Sequence, residues 1–104
     1  MPVKKPRRRY FKFVVEGPTR FTASEVFEAL VEGVRDIFGL SGLSRVDPHL
    51  IDFDEAKQEG VLRCNRTRIR EMRASLTLIS KIGGSPATVY VTKVSGTIKA
   101  LKNS

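Results

Sequence analysis

The 104-residue chain has one cysteine, one histidine and no tryptophan. One cysteine excludes an internal disulfide and a cysteine-built zinc site. The single histidine, His49, leaves little material for general-base or metal chemistry. No apolar run approaches the roughly 20 residues that span a membrane. The basic N-terminus leads into a strand-like pattern, not into the apolar core of a signal peptide. No Gly-rich phosphate loop of the Walker type occurs. These absences disfavour an enzyme acting alone. They predict a soluble, cytoplasmic chain with no membrane partner, no catalytic residues and no metal ligands of its own.

What the chain has in excess is positive charge. Nineteen Lys and Arg stand against eleven Asp and Glu, a formal net charge of +8, so the natural partners are polyanions. The charge is segregated. Residues 1–12 hold six bases and no acid; residues 13–60 hold four bases and ten acids; residues 61–104 hold nine bases and one acid. A merely solubilising surface interleaves the two signs. Segregation predicts one region for a polyanion and another for a different partner. Residues 1–9 contain Pro2, Pro6 and five bases and are expected to form a flexible basic arm. Residues 10–104 are expected to form one domain, long enough to fold without staples.

Along that domain, Tyr10 to Val15 is aromatic and β-branched and reads as a strand. Phe11, Phe13 and Val15 share one face, Tyr10, Lys12 and Val14 the other. Thr22-Ala23-Ser24-Glu25 is a capping box. Val26, Leu30, Val34, Ile37 and Phe38 then recur at helical spacing, predicting a helix from about 23 to 38 that stops at Gly39. Residues 39–48 are expected to loop. Leu50–Phe53 and Val61–Arg66 predict a hairpin across a polar turn. Thr67 is the expected cap of a second helix carrying Ile69, Met72, Leu76 and Ile79, widened by Ala74, Leu78 and Ile82, and ended by Gly83-Gly84. Thr88–Val94 is a long β-branched strand. Ser95-Gly96 is a bend or bulge candidate, after which the chain either continues the strand or begins a terminal turn. The order β-α-β-β-α-β predicts an α+β, ferredoxin-like sandwich: four antiparallel strands with two helices on one face. The other face is expected to be open or covered by a partner.

The densest chemical feature is Arg63, Arg66, Arg68, Arg70 and Arg73, five arginines in eleven residues. Guanidinium groups bind phosphate in two-pronged fashion and stack on bases. Arg66 and Arg68 flank the strand-to-helix turn, next to a helix start whose N–H groups favour anions. Arg70 and Arg73 suit equally a pairing with acids around Glu28 and Glu32. RNA-recognition modules of this fold stack bases on aromatics of the third strand. Here that strand is Val61-Leu62-Arg63-Cys64-Asn65, without an aromatic, so phosphate and sugar contacts to a shaped RNA fit better. Asp52, Asp54 and Glu55 have the chemistry for Mg²⁺, but solvated acids of a hairpin, or an acidic patch for a protein partner, explain them better. Cys64 alternates with Leu62 and reads as a small buried apolar residue.

Taken together, several segments resemble the archaeal ribonuclease P protein component 2 family, which is homologous to a small protein shared by eukaryotic ribonuclease P and MRP. They are Arg9-Tyr10, Phe38-Gly39, Ile51-Asp52-Phe53-Asp54, Gly60 to Arg66 (GVLRCNR), Leu76 to Gly84 (LTLISKIGG) and Ser95-Gly96-Thr97-Ile98-Lys99, and they spread over residues 9–101. The resemblance implies a ferredoxin-like protein that is not a nuclease by itself. The catalyst is an RNA subunit that uses Mg²⁺ to remove the 5′ leader of precursor tRNA, and the protein binds no cofactor itself. It implies ribonuclease P RNA and precursor tRNA as nucleic-acid partners and a barrel-shaped ribonuclease P protein as protein partner, with a homodimer inside a heterotetramer as one assembly. By resemblance Arg63, Arg66 and Lys99 are RNA-contact candidates, joined on charge by Arg68, Arg7, Arg8 and Arg9. Ser95, Gly96 and Thr97 are expected to shape the backbone, with Gly96 in a conformation closed to other residues. The acidic first helix, with Glu25, Glu28 and Glu32, is the candidate protein-partner surface. The alternative is a general RNA-binding or ribosome-associated domain of the same fold. A ferredoxin-like oligomeric ligand sensor is disfavoured by the basic pI of about 10.2.

Overall fold

A computed structural model describes residues 8–102. Arg7 and the rest of the expected arm up to residue 7 lie outside the described residues. Arg8 and Arg9 belong to the first strand, β1 (Arg8–Glu16), which begins two residues before the expected Tyr10. Helix α1 (Ala23–Val46), strands β2 (His49–Asp54) and β3 (Glu59–Asn65), a 3₁₀ turn (Arg66–Arg68) and helix α2 (Ile69–Leu78) follow. Two short strands, β4 (Lys81–Ile82) and β5 (Ser85–Pro86), precede β6 (Thr88–Ser95) and a terminal helix α3 (Ile98–Lys102). The four long strands form one antiparallel sheet in the order β2-β3-β1-β6. With α1 and α2 on one face, this is the ferredoxin-like arrangement that the sequence order predicted.

The core follows the predicted alternation. Phe11, Phe13 and Val15 of β1, with Leu62 and Cys64 of β3, are buried against Val26, Leu30 and Val34 of α1 and Met72 and Leu76 of α2. The capping box forms as expected: Thr22 Oγ1 accepts from the Glu25 N–H at 3.2 Å and Glu25 Oε1 from the Thr22 N–H at 3.0 Å. The β2–β3 hairpin is tied to the chain before α1. Gln58 accepts from the Phe21 N–H at 2.9 Å and donates to the Phe21 carbonyl at 3.0 Å.

Four local expectations change. First, α1 breaks at Gly39 (φ 73°, ψ −177°), but helix resumes through Val46 where a loop was expected. Burial of Val46, with Leu43 packed on the core, outweighs the weak propensity of a segment holding Gly42. Ile37, expected in the apolar stripe just before the break, is exposed. Second, Thr67 does not cap α2. Asn65 accepts from both the N–H and the hydroxyl of Thr67, at 3.0 and 2.9 Å, and folds the 3₁₀ turn. Third, Gly83-Gly84 does not end α2, which stops at Leu78. The pair, with φ of 55° and 83°, is the two-residue turn of the β4–β5 hairpin, a geometry that needs positive φ at both positions. Leu78, expected in the stripe, is 67% exposed.

Fourth, the outer sheet face is partly covered by the chain itself. After Gly96 the backbone turns into α3, which packs on β6 and β1. Lys93 stands opposite Lys12 on the outer face and donates to the Ala100 carbonyl at 3.1 Å. Leu101 is fully buried. The bend expected at Ser95-Gly96 forms at Gly96, where β6 ends. In addition the β1–β6 register shifts between Lys12 and Phe13, and Thr92 donates to the Lys12 carbonyl at 3.2 Å.

Candidate nucleic-acid interface

Antiparallel pairing converts the charge segments into two poles. Arg8 pairs with Asn65 and Tyr10 with Ser95, so the start of β1 lies beside the ends of β3 and β6. The 3₁₀ turn with Arg66 and Arg68, the start of α2 with exposed Arg70, and the Gly96–Lys99 segment leave from that same end. At the opposite end stand Glu16, Asp54 and Glu59, with Val14 paired to Glu59 and Asp54 to Glu59. The N-terminus of α1 joins this acidic end, where Glu55 accepts from the Ala23 N–H at 3.1 Å. Acids there are favoured by the positive end of the helix dipole.

The basic end brings together Arg8, Arg9, Arg66, Arg68 and Lys99. Arg63 lies one step inward on the outer face, half-buried between Tyr10 of β1 and His49 of β2. Arg66 and Lys99 are exposed. Arg68 stands 3.7 Å from Glu71. The first turn of α2 has no side-chain cap, so its N–H groups add to the positive field. Arg73 does not pair with the acids of α1: its guanidinium lies over the buried Phe11 ring, 5.8 Å from the centroid, a packing role. Gly96 does not adopt the special backbone expected of it, since it is absent from the positive-φ glycines. Its missing side chain serves Arg9 instead: a Cβ there would stand 2.6 Å from Arg9 Nη1. Sequence spacing held no signal for this contact, because the two residues meet only through the β1–β6 pairing.

Of the partner-surface candidates, Glu25 is engaged in the capping box, and its carboxylate lies against Gly83. Glu28 and Glu32 are exposed. Glu32 and Asp36 rim a groove of about 230 Å³ between α1 and α2, floored by Gly33, Ile37, Leu78 and Ile79. Exposed Leu40 and Arg45 near the end of α1 were missed in the sequence because they lie beyond residue 38, the helix limit it suggested, whereas exposed Leu78 was placed in the apolar stripe.

Asp54 and Glu55 spend their carboxylates on backbone N–H groups, with Asp54 accepting from Ala56 and Lys57 at 3.0 and 3.1 Å. Among the described residues, no three His, Cys, Asp or Glu side chains gather as a metal site. Cys64 is buried, and its thiol is pushed up from 9.0 to about 12, first by burial and second by the negative charge of Glu71. The native thiol is therefore expected to resist alkylation at pH 8, with thiol-reagent uptake appearing only on unfolding. The proton is held more tightly in the folded state, so this contribution to stability is complete below about pH 9 and is lost as pH rises toward 12. Urea midpoints measured across that range should fall for the native protein, and the fall should be shallower in Cys64→Ala.

The fold and the charge layout define a ferredoxin-like protein with one strongly basic end. The family model described as Rpp14/Pop5 matches residues 9–104, and the chain belongs to that family. The chain is 39% identical over 101 residues to ribonuclease P protein component 2 of Pyrococcus furiosus, covering 97% of this chain and 84% of that protein. The same protein of Thermococcus gammatolerans is 38% identical over 101 residues with the same coverage. A chain in the cryo-EM structure of yeast ribonuclease MRP superposes with a TM-score of 0.73 at 16% identity, over 92% of this chain and 79% of that one. At that identity the superposition speaks for the fold.

Proposed function

We propose that the chain is a protein subunit of ribonuclease P, supporting a catalytic RNA that removes the 5′ leader of precursor tRNA in the cytoplasm. The family assignment supports this, and the observation that carries it is the gathering of Arg8, Arg9, Arg66, Arg68 and Lys99 at one end of the sheet. Folded RNA concentrates negative charge, and compacting it costs repulsion. Cations fixed on a rigid sheet end lower that cost and release counterions. They reduce the Mg²⁺ that the RNA needs without touching the scissile bond. In this reading Mg²⁺ is bound by the RNA and not by the protein. Precursor tRNA and the ribonuclease P RNA share the basic end. The helix layer, with exposed Glu28 and Glu32 beside exposed Ile37 and Leu78, is the surface for a barrel-shaped protein partner, and a homodimer inside a heterotetramer fits the same family.

The test is cleavage of precursor tRNA by ribonuclease P RNA at limiting Mg²⁺, with and without this protein and the barrel-shaped subunit. Cleavage should appear at lower Mg²⁺ when the pair is added. No stimulation, together with binding to unrelated RNAs, would leave a general RNA-binding domain.

A further inference from the structure

Glu71 is the one acid between residue 61 and the C-terminus, and it stands among arginines. With Arg68, Arg45, Phe38, Ser41 and Gly42 it lines a cavity of about 190 Å³ at the basic end. The break of α1 at Gly39 opens this cavity by setting residues 40–46 off the axis of the first segment. Gly42 permits the close turn, because a Cβ there would collide with the Cβ of Phe38.

A seat for bare phosphate would exclude a carboxylate, since like charges repel. A carboxylate between arginines suits a base instead. It accepts N–H donors of a base edge, while guanidinium planes and a phenyl ring stack on its faces. Glu71 Oε2 is closed to solvent and has no hydrogen-bond partner. Its nearest cation, Arg68 Nη1, is 3.7 Å away, beyond hydrogen-bond length. A buried oxygen without a donor is an unfinished arrangement. The cavity is smaller than the roughly 300 Å³ at which small-molecule sites usually begin, so it suits one ring system and not a whole nucleotide.

We propose that this cavity seats a single unpaired RNA base with N–H donors on its pairing edge, guanine above all. Glu71 is the acceptor, and Arg45 and Arg68 lie against the ring. Guanine presents N1–H and the N2 amine side by side, a match to the two oxygens of a carboxylate. Cytosine and adenine each offer a single amine and uracil a single N–H, so all three lack the pair. Movement of the Arg68 arm onto the ring uncovers Oε2. The proposal rests on the RNA-binding reading above and adds a base-reading element to the phosphate contacts, with Arg68 at the junction of the two.

The test uses four RNA hairpins that differ only in one bulged base, with Kd measured by fluorescence anisotropy at fixed salt. The native protein should bind the guanine hairpin about tenfold more tightly than each of the other three. Glu71→Gln should lower guanine affinity to the adenine level, and Arg45→Ala, at an exposed position, should do the same in a fold verified by thermal melting. Equal binding of all four hairpins overturns the base pocket and leaves the RNA-binding reading standing. A guanine preference that persists in Glu71→Gln also overturns it. Failure to bind any hairpin overturns both.

Discussion

Gly60→Ala is expected to lower stability by about 3 kcal/mol, the upper range of overpacking in a filled core. Gly60 is buried in β3, opposite Phe13 of β1 and Phe53 of β2. A Cβ there would stand 2.7 Å from Phe13 Cζ, 2.8 Å from the Asp52 carbonyl oxygen and 2.9 Å from Phe53 Cδ1. The carbonyl belongs to the paired strand and cannot rotate away, and the two rings are packed 6.2 Å apart. Replacing glycine restricts the unfolded chain and so stabilises by about 0.4–1 kcal/mol, which the clash exceeds. For a domain of this size the melting temperature should fall by about 12–20 °C. Gly33→Ala is the control. Its Cβ would meet Ile79 Cγ1 at 3.6 Å and the Ser75 carbonyl at 3.7 Å, ordinary contacts. Within a helix the substitution should stabilise by up to about 1 kcal/mol. The same chemical change is thus expected to have opposite signs at two positions. Equal melting temperatures for the two variants would contradict the packing described.

The contrast marks what the sequence can carry. Alternation along β1 and β3 named Phe11, Phe13, Leu62 and Cys64 as core, because a strand's two faces are separated by a fixed period. The capping box at Thr22 was equally legible, being a contact across three residues. Gly39 was legible as a break, but the helix beyond it was not. What rescues that segment is burial of Val46, a long-range contact. Gly83-Gly84 illustrates the same point: glycine pairs stop helices and make hairpin turns alike, and only the pairing of Lys81 with Pro86 decides. In the candidate site, the residue types and the charge segments were readable, since both are composition. The contacts of Arg9 with Gly96 and of Arg73 with Phe11 were not, since both depend on sheet register and helix docking.

Register also sets the largest functional effect expected. Arg63→Glu combined with Arg66→Glu should weaken RNA binding about 100-fold near 0.1 M salt and reduce the salt slope by about 2, the share of two phosphate contacts. Arg66 is exposed on the 3₁₀ turn, and Arg63 is half-buried on the outer face. Neither belongs to the hydrophobic core, so the melting temperature should move little. In reconstituted cleavage the double variant should need more Mg²⁺ to reach the native rate, and saturating Mg²⁺ should restore most activity, because the protein lowers repulsion and does not perform the chemistry. The reciprocal variant, Glu28→Lys with Glu32→Lys, changes the charge by as many units on the helix layer. It should leave the Mg²⁺ requirement of the RNA unchanged while weakening pairing with the protein partner, read by native gel or light scattering. A rise in Mg²⁺ requirement in the arginine variant matched by a fall in the glutamate variant would mean that net charge alone matters. Unchanged Mg²⁺ dependence in the arginine variant would remove the basic end from the RNA interface. A split response, with each pair moving its own readout, is the outcome that two separate poles require.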